Sequence, residues 1–247
     1  GLELMLGESL LHIQGRVDND FGLDVEFTSP DLSQLGAGLE GNLSAYSQIR
    51  GSREEPIIEL SAAGQNIVAG KVAASKLDGT LLLTAGEGGA IEGKVSVTDS
   101  SMGDYNVSLV DVSVDGKIAE HTIQGSLETE LGALSFAATG GYDERWLGSF
   151  SSLELLLQDY GSWTLQQQAA LELSVNGFQL DDFCLTNTRH DNSGSVCLFL
   201  EGSVGEASSW SVNGSFDRFA LQPISEMDLG LPPLNGSLDG TFDVRGD

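Results

Sequence analysis

Ile91-Glu92-Gly93-Lys94-Val95 carries the pattern on which the chain is built: apolar, polar, glycine, polar, apolar. The same form stands at Ile13-Gln14-Gly15-Arg16-Val17, Leu39-Glu40-Gly41-Asn42-Leu43 and Leu77-Asp78-Gly79-Thr80-Leu81. It returns at Ile123-Gln124-Gly125-Ser126-Leu127, Leu200-Glu201-Gly202-Ser203-Val204, Val212-Asn213-Gly214-Ser215-Phe216 and Leu238-Asp239-Gly240-Thr241-Phe242. Residues two apart share one face of a β-strand, so each piece reads as a strand with one apolar and one polar face. Glycine always takes the apolar phase. An interior glycine weakens a strand through entropy and lost packing, so its repeated use at one phase implies a close approach to that face. A second sheet or a bound apolar ligand would make that approach.

Around these pieces the alternation continues. Leu11, Ile13 and Val17 share one phase, and Phe21, Leu23, Val25 and Phe27 follow after the turn residues Asp18-Asn19-Asp20. Pro30 to Leu35 reads as a single helical turn begun by the proline. Strands are expected over roughly 57–63, 66–73, 76–84, 90–98 and onward to 236–244, with Val97 in phase with Val95. Leu165 to Val175 keeps a period of two through Leu171 and Leu173, so 163–175 is read as one strand despite Gln166-Gln167-Gln168. Roughly 17 strands in series without a βαβ signature make the fold class all-β, with an antiparallel, meandering sheet. Laid flat at about 4.8 Å per strand, such a sheet spans on the order of 80 Å, and sheets of that width curl or split. A β-sandwich, a closed barrel and a sheet folded lengthwise into a trough all satisfy that constraint. Residues 1–247 read as one continuous repetitive segment of a longer protein, with sub-repeats 1–140 and 141–247. The unit Asp31 to Leu43 is echoed near Ile224 to Phe242.

The 37 acidic residues face 11 basic ones, a net charge of −26. Such a balance repels phosphate backbones and anionic membrane surfaces, which excludes nucleic-acid binding and flat docking on anionic lipid. No apolar run reaches the ~20 residues needed to span a bilayer, and no signal-peptide pattern opens the chain.

Cys184 and Cys197 lie on strands joined by a polar loop. Phe183 and Leu185 take the apolar phase of one, and Val196, Leu198 and Leu200 that of the other. Both thiols therefore point to the opposite, polar face of adjacent antiparallel strands, within reach of each other. A disulfide, and so an oxidising compartment, is the expectation. Two reduced structural thiols are the alternative, with a metal site or nucleophile behind them. His12, His121 and His190 are widely spaced and read as surface residues. Catalytic, phosphate-binding and dinucleotide-binding motifs are missing from the sequence, and neither enzyme activity, a cofactor nor a metal is expected.

One longer stretch is more specific. Trp163-Thr164-Leu165, Leu171-Glu172-Leu173, Leu180 to Leu185, Val196-Cys197-Leu198, Leu200-Glu201-Gly202 and Trp210 together resemble the central region of the TamB family, which carries a paired Cys-Leu motif ahead of a glycine and a tryptophan. The segment Asp31 to Gly41 is similar to that family's recurrent unit. The resemblance implies an envelope protein of Gram-negative bacteria, anchored in the inner membrane and reaching through the periplasm to an outer-membrane barrel partner of the Omp85 type. Anchor and partner-binding portion are expected to lie outside this sequence, and this segment itself is not expected to insert in a membrane. The implied fold is a sheet bent into a taco-shaped trough with a hydrophobic interior. The implied function is conduction of phospholipids, whose acyl chains the trough shields. Assistance to outer-membrane protein assembly, by holding β-strands, is the alternative.

The lining expected for such a groove is Leu11, Ile13, Val17, Phe21, Leu23, Val25, Phe27, Leu39, Leu43, Leu77, Leu81, Ile91, Val95, Val97, Ile123 and Leu127. Leu171, Leu173, Leu198, Leu200, Val212, Phe216, Leu238 and Phe242 continue it. Gly15, Gly41, Gly79, Gly93, Gly125, Gly202, Gly214 and Gly240 are its glycines.

Overall fold

A computed structural model describes residues 1–86, 88–103, 105–158, 161–187, 194–204, 209–220 and 236–246. His190 and residues 224–235 of the expected echo lie outside the described residues. The chain divides into two compact units, Gly1–Glu130 and Leu131–Asp247.

The first unit is a meander of nine antiparallel strands. They are β1 (Leu2–Leu6), β2 (Ser9–Val17), β3 (Asp20–Ser29), β4 (Leu39–Ser52), β5 (Pro56–Ala69), β6 (Val72–Thr84), β7 (Ala90–Met102), β8 (Tyr105–Lys117) and β9 (Glu120–Thr129). Each pairs with the next in sequence. Between β3 and β4 a short 3₁₀ turn, Leu32–Gln34, packs on β4 and buries Leu32. It begins at Asp31 as expected near Pro30. The Asp31 carboxylate accepts from the Ser33 amide, and its hydrogen bonds with Ser33 hold its pKa below the usual carboxylate range.

The second unit holds β10 (Gly132–Asp143), β11 (Arg145–Leu157), β12 (Gly161–Leu165), β13 (Ala169–Ser174), β14 (Gly177–Asn187), β15 (Ser195–Ser203), β16 (Ser209–Ala220) and β17 (Ser237–Gly246). These too run antiparallel in chain order, with β12 and β13 lying end to end between β11 and β14.

The fold is all-β and antiparallel, as the alternation implies. Every described strand is used in the meander of its unit. Few apolar side chains are fully buried, so among the described residues neither unit shows the sealed core of the β-sandwich alternative.

Three local expectations need correction. Residues 57–63 and 66–73 are not two strands. Asn66 adopts a positive φ of 52° and is accommodated inside one strand, β5, which turns only after Ala69. Residues 163–175 are not one strand. In continuous alternation Gln167 would face the apolar side, so the chain leaves the sheet at Gln166-Gln167-Gln168 and all three glutamines are exposed. Finally, Leu2–Leu6 forms a strand that the sequence reading omitted.

Candidate functional site

Residues directly opposite each other on antiparallel strands share a face, so the register can be read as rows running across the sheet. In the first unit one row is Leu4, Leu11, Phe27, Ala45, Ala62, Gly79, Val95, Val112 and Gly125, one residue from each of nine strands. Beside it runs Leu2, Ile13, Val25, Ser47, Leu60, Leu81, Gly93, Val114 and Ile123. The row on one side is Gly15, Leu23, Ile49, Ile58, Leu83, Ile91, Gly116 and His121, with Val17 and Phe21 beyond. On the other side lie Ser29, Leu43, Gly64, Leu77, Val97, Val110 and Leu127. None of these positions is Asp, Glu, Lys or Arg. The acids go to the other face, where Asp24, Gln48, Glu59, Leu82, Glu92 and Asp115 form a row. Arg50 donates to Asp24 at 2.7 Å there, with Gln48 and Tyr46 donating to the same oxygen, and the Arg50 hydrogen bond holds the Asp24 pKa down.

This apolar face is not sealed. Leu2, Leu4, Leu6, Val17, Leu60, Val95 and Val112 are all exposed, Val95 by 45%. Only Leu32 and Ala74 are fully buried apolar residues among the described residues of this unit. At one edge the Ser9 and Ser29 hydroxyls, both buried, pair at 2.7 Å. His121 also belongs to this face, which corrects its expected surface position. It stands opposite Gly116, two residues before Ile123, and is buried with Nδ1 3.0 Å from the Lys117 carbonyl oxygen. The phase of Ile123 carried the signal.

Four consecutive strands each hold one extra residue in the same line: Asn66 on β5, Ser75 on β6, Asp99 on β7 and Ser108 on β8. The register steps by one residue where this line meets β4 and β9. Asn66 and Asp99 have positive φ, which Asn and Asp tolerate better than most residues. Each extra residue bends its strand and resets the alternation. Ile67 thereby returns to the apolar face, its side chain lying over Gly64. Ala74, Ser100, Val107 and Thr129 align with it, and Leu39 pairs with Ala69 beyond. Aligned bends of this kind crease the sheet along a line crossing its strands. Sequence reading missed the crease, whose only signal was a polar residue at the same distance from each hairpin turn.

The second unit has the same face with different filling. Its rows are Tyr142, Trp146, Leu173, Phe178, Gly202, Trp210 and Gly246, then Gly140, Gly148, Leu171, Leu180, Leu200, Val212 and Val244. Phe183, Leu198, Gly214 and Phe242 come next, followed by Leu165, Leu185, Val196, Phe216 and Gly240. The last row runs from Trp163 and Asn187 to Phe219 and Leu238. Aromatic rings meet along it. Phe136, Phe150 and Phe183 stack edge to face at 5.7 and 6.0 Å beside the break between β12 and β13. Trp163, Phe219, Phe216 and Phe242 form a chain of contacts at 5.6, 5.2 and 5.0 Å. Opposite this face, Cys184 and Cys197 are direct cross-strand partners and form a disulfide.

The eight glycines of the five-residue pattern play different parts. Gly15 and Gly41 have positive φ, and a β-carbon on either would strike backbone atoms of the next strand. At Gly79 the nearest atoms to an added β-carbon are 3.8 Å away, and at Gly240 nothing lies within 4 Å. Gly93 is flanked at 3.3 Å by Leu81 and Val114, and Gly125 stands opposite Val112. Gly202 lies under the Phe178 ring and Gly214 under Phe242. All the expected lining residues fall on the one apolar face of their unit.

Among the described residues no helix is long and apolar enough to cross a membrane. No curated protein and no solved structure matches the chain. A family model described as TamB, N-terminal domain, matches residues 1–247, whereas the sequence resemblance was to the family's central region. With that family model matching from end to end, the chain belongs to the TamB family, periplasm-spanning proteins of the transport and assembly system.

Proposed function

We propose that the apolar face shields phospholipid acyl chains, so that the chain serves as a lipid-conducting segment in the periplasm between inner and outer membranes. One observation carries the reading. Rows of mostly apolar residues, none of them charged, run across nine successive strands, with Leu2, Leu4, Leu60, Val95 and Val112 exposed and most of the others half-buried. An exposed apolar surface of that extent is costly in water unless something covers it. Covering it recovers about 25 cal/mol per Å² of apolar area. A continuous row offers equal contacts at each strand, so a chain can shift along it without leaving apolar surroundings. Acidic residues on the opposite face keep the segment soluble and away from anionic bilayer surfaces. An outer-membrane barrel of the Omp85 type is the partner this role calls for.

Photocrosslinking tests it. With p-benzoylphenylalanine in place of Val95 or Val25, phospholipid adducts are expected, whereas the same probe at Lys94, on the opposite face, captures none. Equal capture at Val95 and Lys94, or none at Val95, overturns the reading. Capture of nascent outer-membrane β-strands at Val95 without lipid would establish the scaffold alternative in its place.

A further inference from the structure

Two stretches of the first unit break the alternation that sorts apolar from polar side chains, Ile57-Ile58 on β5 and Leu81-Leu82-Leu83 on β6. Ile58, Leu81 and Leu83 join the apolar face, so Ile57 and Leu82 are left on the acidic one. Both are 39% exposed. Tyr46 stands on the same face, 43% exposed, in the row that holds Glu26 and Ser61. Its hydroxyl donates to Asp24 at 3.1 Å and accepts from the Gln48 side chain. The ring is thus held at its far end while it remains in contact with water. Two hollows adjoin at this ring, of ≈ 350 and ≈ 340 Å³. Tyr46, Ser61 and Thr80 border both. Leu82, Glu59 and Glu92 complete the first, and Glu26 and Asp78 border the second.

Charge is not balanced around this groove. The nearby cations are already engaged: Arg50 with Asp24 at 2.7 Å, Lys76 with Asp78 at 2.6 Å and Lys94 with Asp111 at 3.7 Å. Glu26, Glu59 and Glu92, all exposed, form no ion pair with any described residue. Glu59, Leu82 and Glu92 are consecutive members of one row, so the two carboxylates flank the leucine on strands about 10 Å apart. Carboxylates alone would be a solvated face that keeps the chain soluble. Solubility gains nothing from a tyrosine ring and two aliphatic side chains exposed among them. Acid, leucine, acid beside an aromatic ring is complementary to cation, apolar side chain, cation. Arginine suits both cation positions, because its planar fork pairs with a carboxylate and stacks on a tyrosine ring.

We propose that this groove on the acidic face of the first unit docks a basic segment of a partner protein. Arginines of that segment pair with Glu59 and Glu92, an apolar side chain between them packs on Leu82 and Ile57, and the Tyr46 ring with Glu26 beside it seats a further cation. The net charge of −26 speeds the encounter, and the groove fixes where the segment lands. The site lies on the face opposite the lipid-shielding rows, so it stands or falls independently of that reading.

The probe is the peptide Gly-Arg-Ser-Leu-Ser-Arg-Gly, and its counterpart with citrulline in place of both arginines keeps the shape without the charge. Methyl NMR of the whole chain at low salt reads where each binds. With the arginine peptide, the Leu82 and Ile57 methyls are expected to shift, while those of Leu60 and Val95, on the other face, stay in place. The citrulline peptide should bind about tenfold more weakly or less. Leu82→Ser and Tyr46→Ala should each weaken the arginine peptide by about tenfold, and Glu59→Gln with Glu92→Gln by at least as much. Glu120→Gln with Glu128→Gln removes two acids from β9 and should change the affinity by less than about twofold, since exposed charges that far away are screened. Equal effects of the two acid pairs, or no effect of Leu82→Ser, would reduce the attraction to net charge and overturn the proposal. Equal binding of the citrulline peptide, shifts at Leu60 and Val95 in place of Leu82, or no binding also overturns it. Should a variant not fold, the unaltered chain decides the matter with a nitroxide-labelled arginine peptide. Broadening confined to the Leu82 and Ile57 methyls is the supporting result, and uniform broadening overturns it.

Discussion

The two units start from the same five-residue pattern and end with differently filled faces. In the first, apolar positions are mostly aliphatic, and a β-carbon at Gly79 would meet nothing closer than 3.8 Å. In the second, Gly202 and Gly214 carry the same flanking pattern but lie beneath Phe178 and Phe242. Burial follows the same division. Leu32 and Ala74 are the buried apolar residues of the first unit among the described residues, against Ala138, Trp146, Ala169 and Leu185 of the second. A glycine in a strand is therefore either space or a seat. Phe178 and Phe242 lie across Gly202 and Gly214, whereas Gly79 and Gly240 keep their space open, Gly240 even opposite Phe216.

Removing the disulfide is the largest test of this contrast. In the chain-entropy model, closing a loop of ~15 residues contributes about 3 kcal/mol, and Cys184 and Cys197 are 13 residues apart. Cys184→Ser with Cys197→Ser is expected to cost the second unit about that much. Hydrogen exchange by mass spectrometry should show faster exchange in β14 and β15 and little change in β2 to β8. Equal loosening of both units would show that they do not differ in this way.

Gly148→Ala against Gly79→Ala is the next. A β-carbon at Gly148 would lie 2.3 Å from the Thr139 carbonyl oxygen and 2.4 Å from the Trp146 ring. Overpacking of that kind costs about 1–3 kcal/mol. Gly79→Ala should be neutral or stabilising by up to about 1 kcal/mol, since it restricts the unfolded chain and meets ordinary contacts. Urea midpoints of the two variants check both values, and a shared sign would erase the distinction between seat and space.

The smallest effect concerns the polar face of the first unit. Arg50 holds the Asp24 pKa below its ordinary 3.8. The contribution of this pair is present above that value and is lost as pH falls through the lowered pKa. Carboxyl NMR should give Asp24 a midpoint under 3.8, moving back toward it in Arg50→Ala. An unchanged midpoint in the variant would assign the shift to Gln48 and Tyr46 instead.

Much of the architecture was legible before any coordinates. Alternation at Leu11, Ile13, Val25 and Phe27 fixes which side chains share a face, because the side-chain period of a strand is two. The opposite phases of Cys184 and Phe183 placed the thiols together in the same way. Features that depend on a neighbouring strand were hidden. The extra residues at Asn66, Ser75, Asp99 and Ser108 keep each strand continuous, and their alignment exists only once four strands are side by side. His121 was misread because its phase was not counted against Ile123. The break at Gln166 to Gln168 was misread because a period of two was carried across a position that a polar side chain could not fill.

The sequence by itself determined an all-β antiparallel meander, a charge-free apolar face, an acidic opposite face and a cysteine pair within reach. Those follow from local geometry and residue chemistry, each readable within one strand or one hairpin. Only the tertiary structure decided which glycines are covered and where the first unit's sheet creases. Those depend on what stands one to three strands away, a distance set by register and by the reach of an aromatic ring.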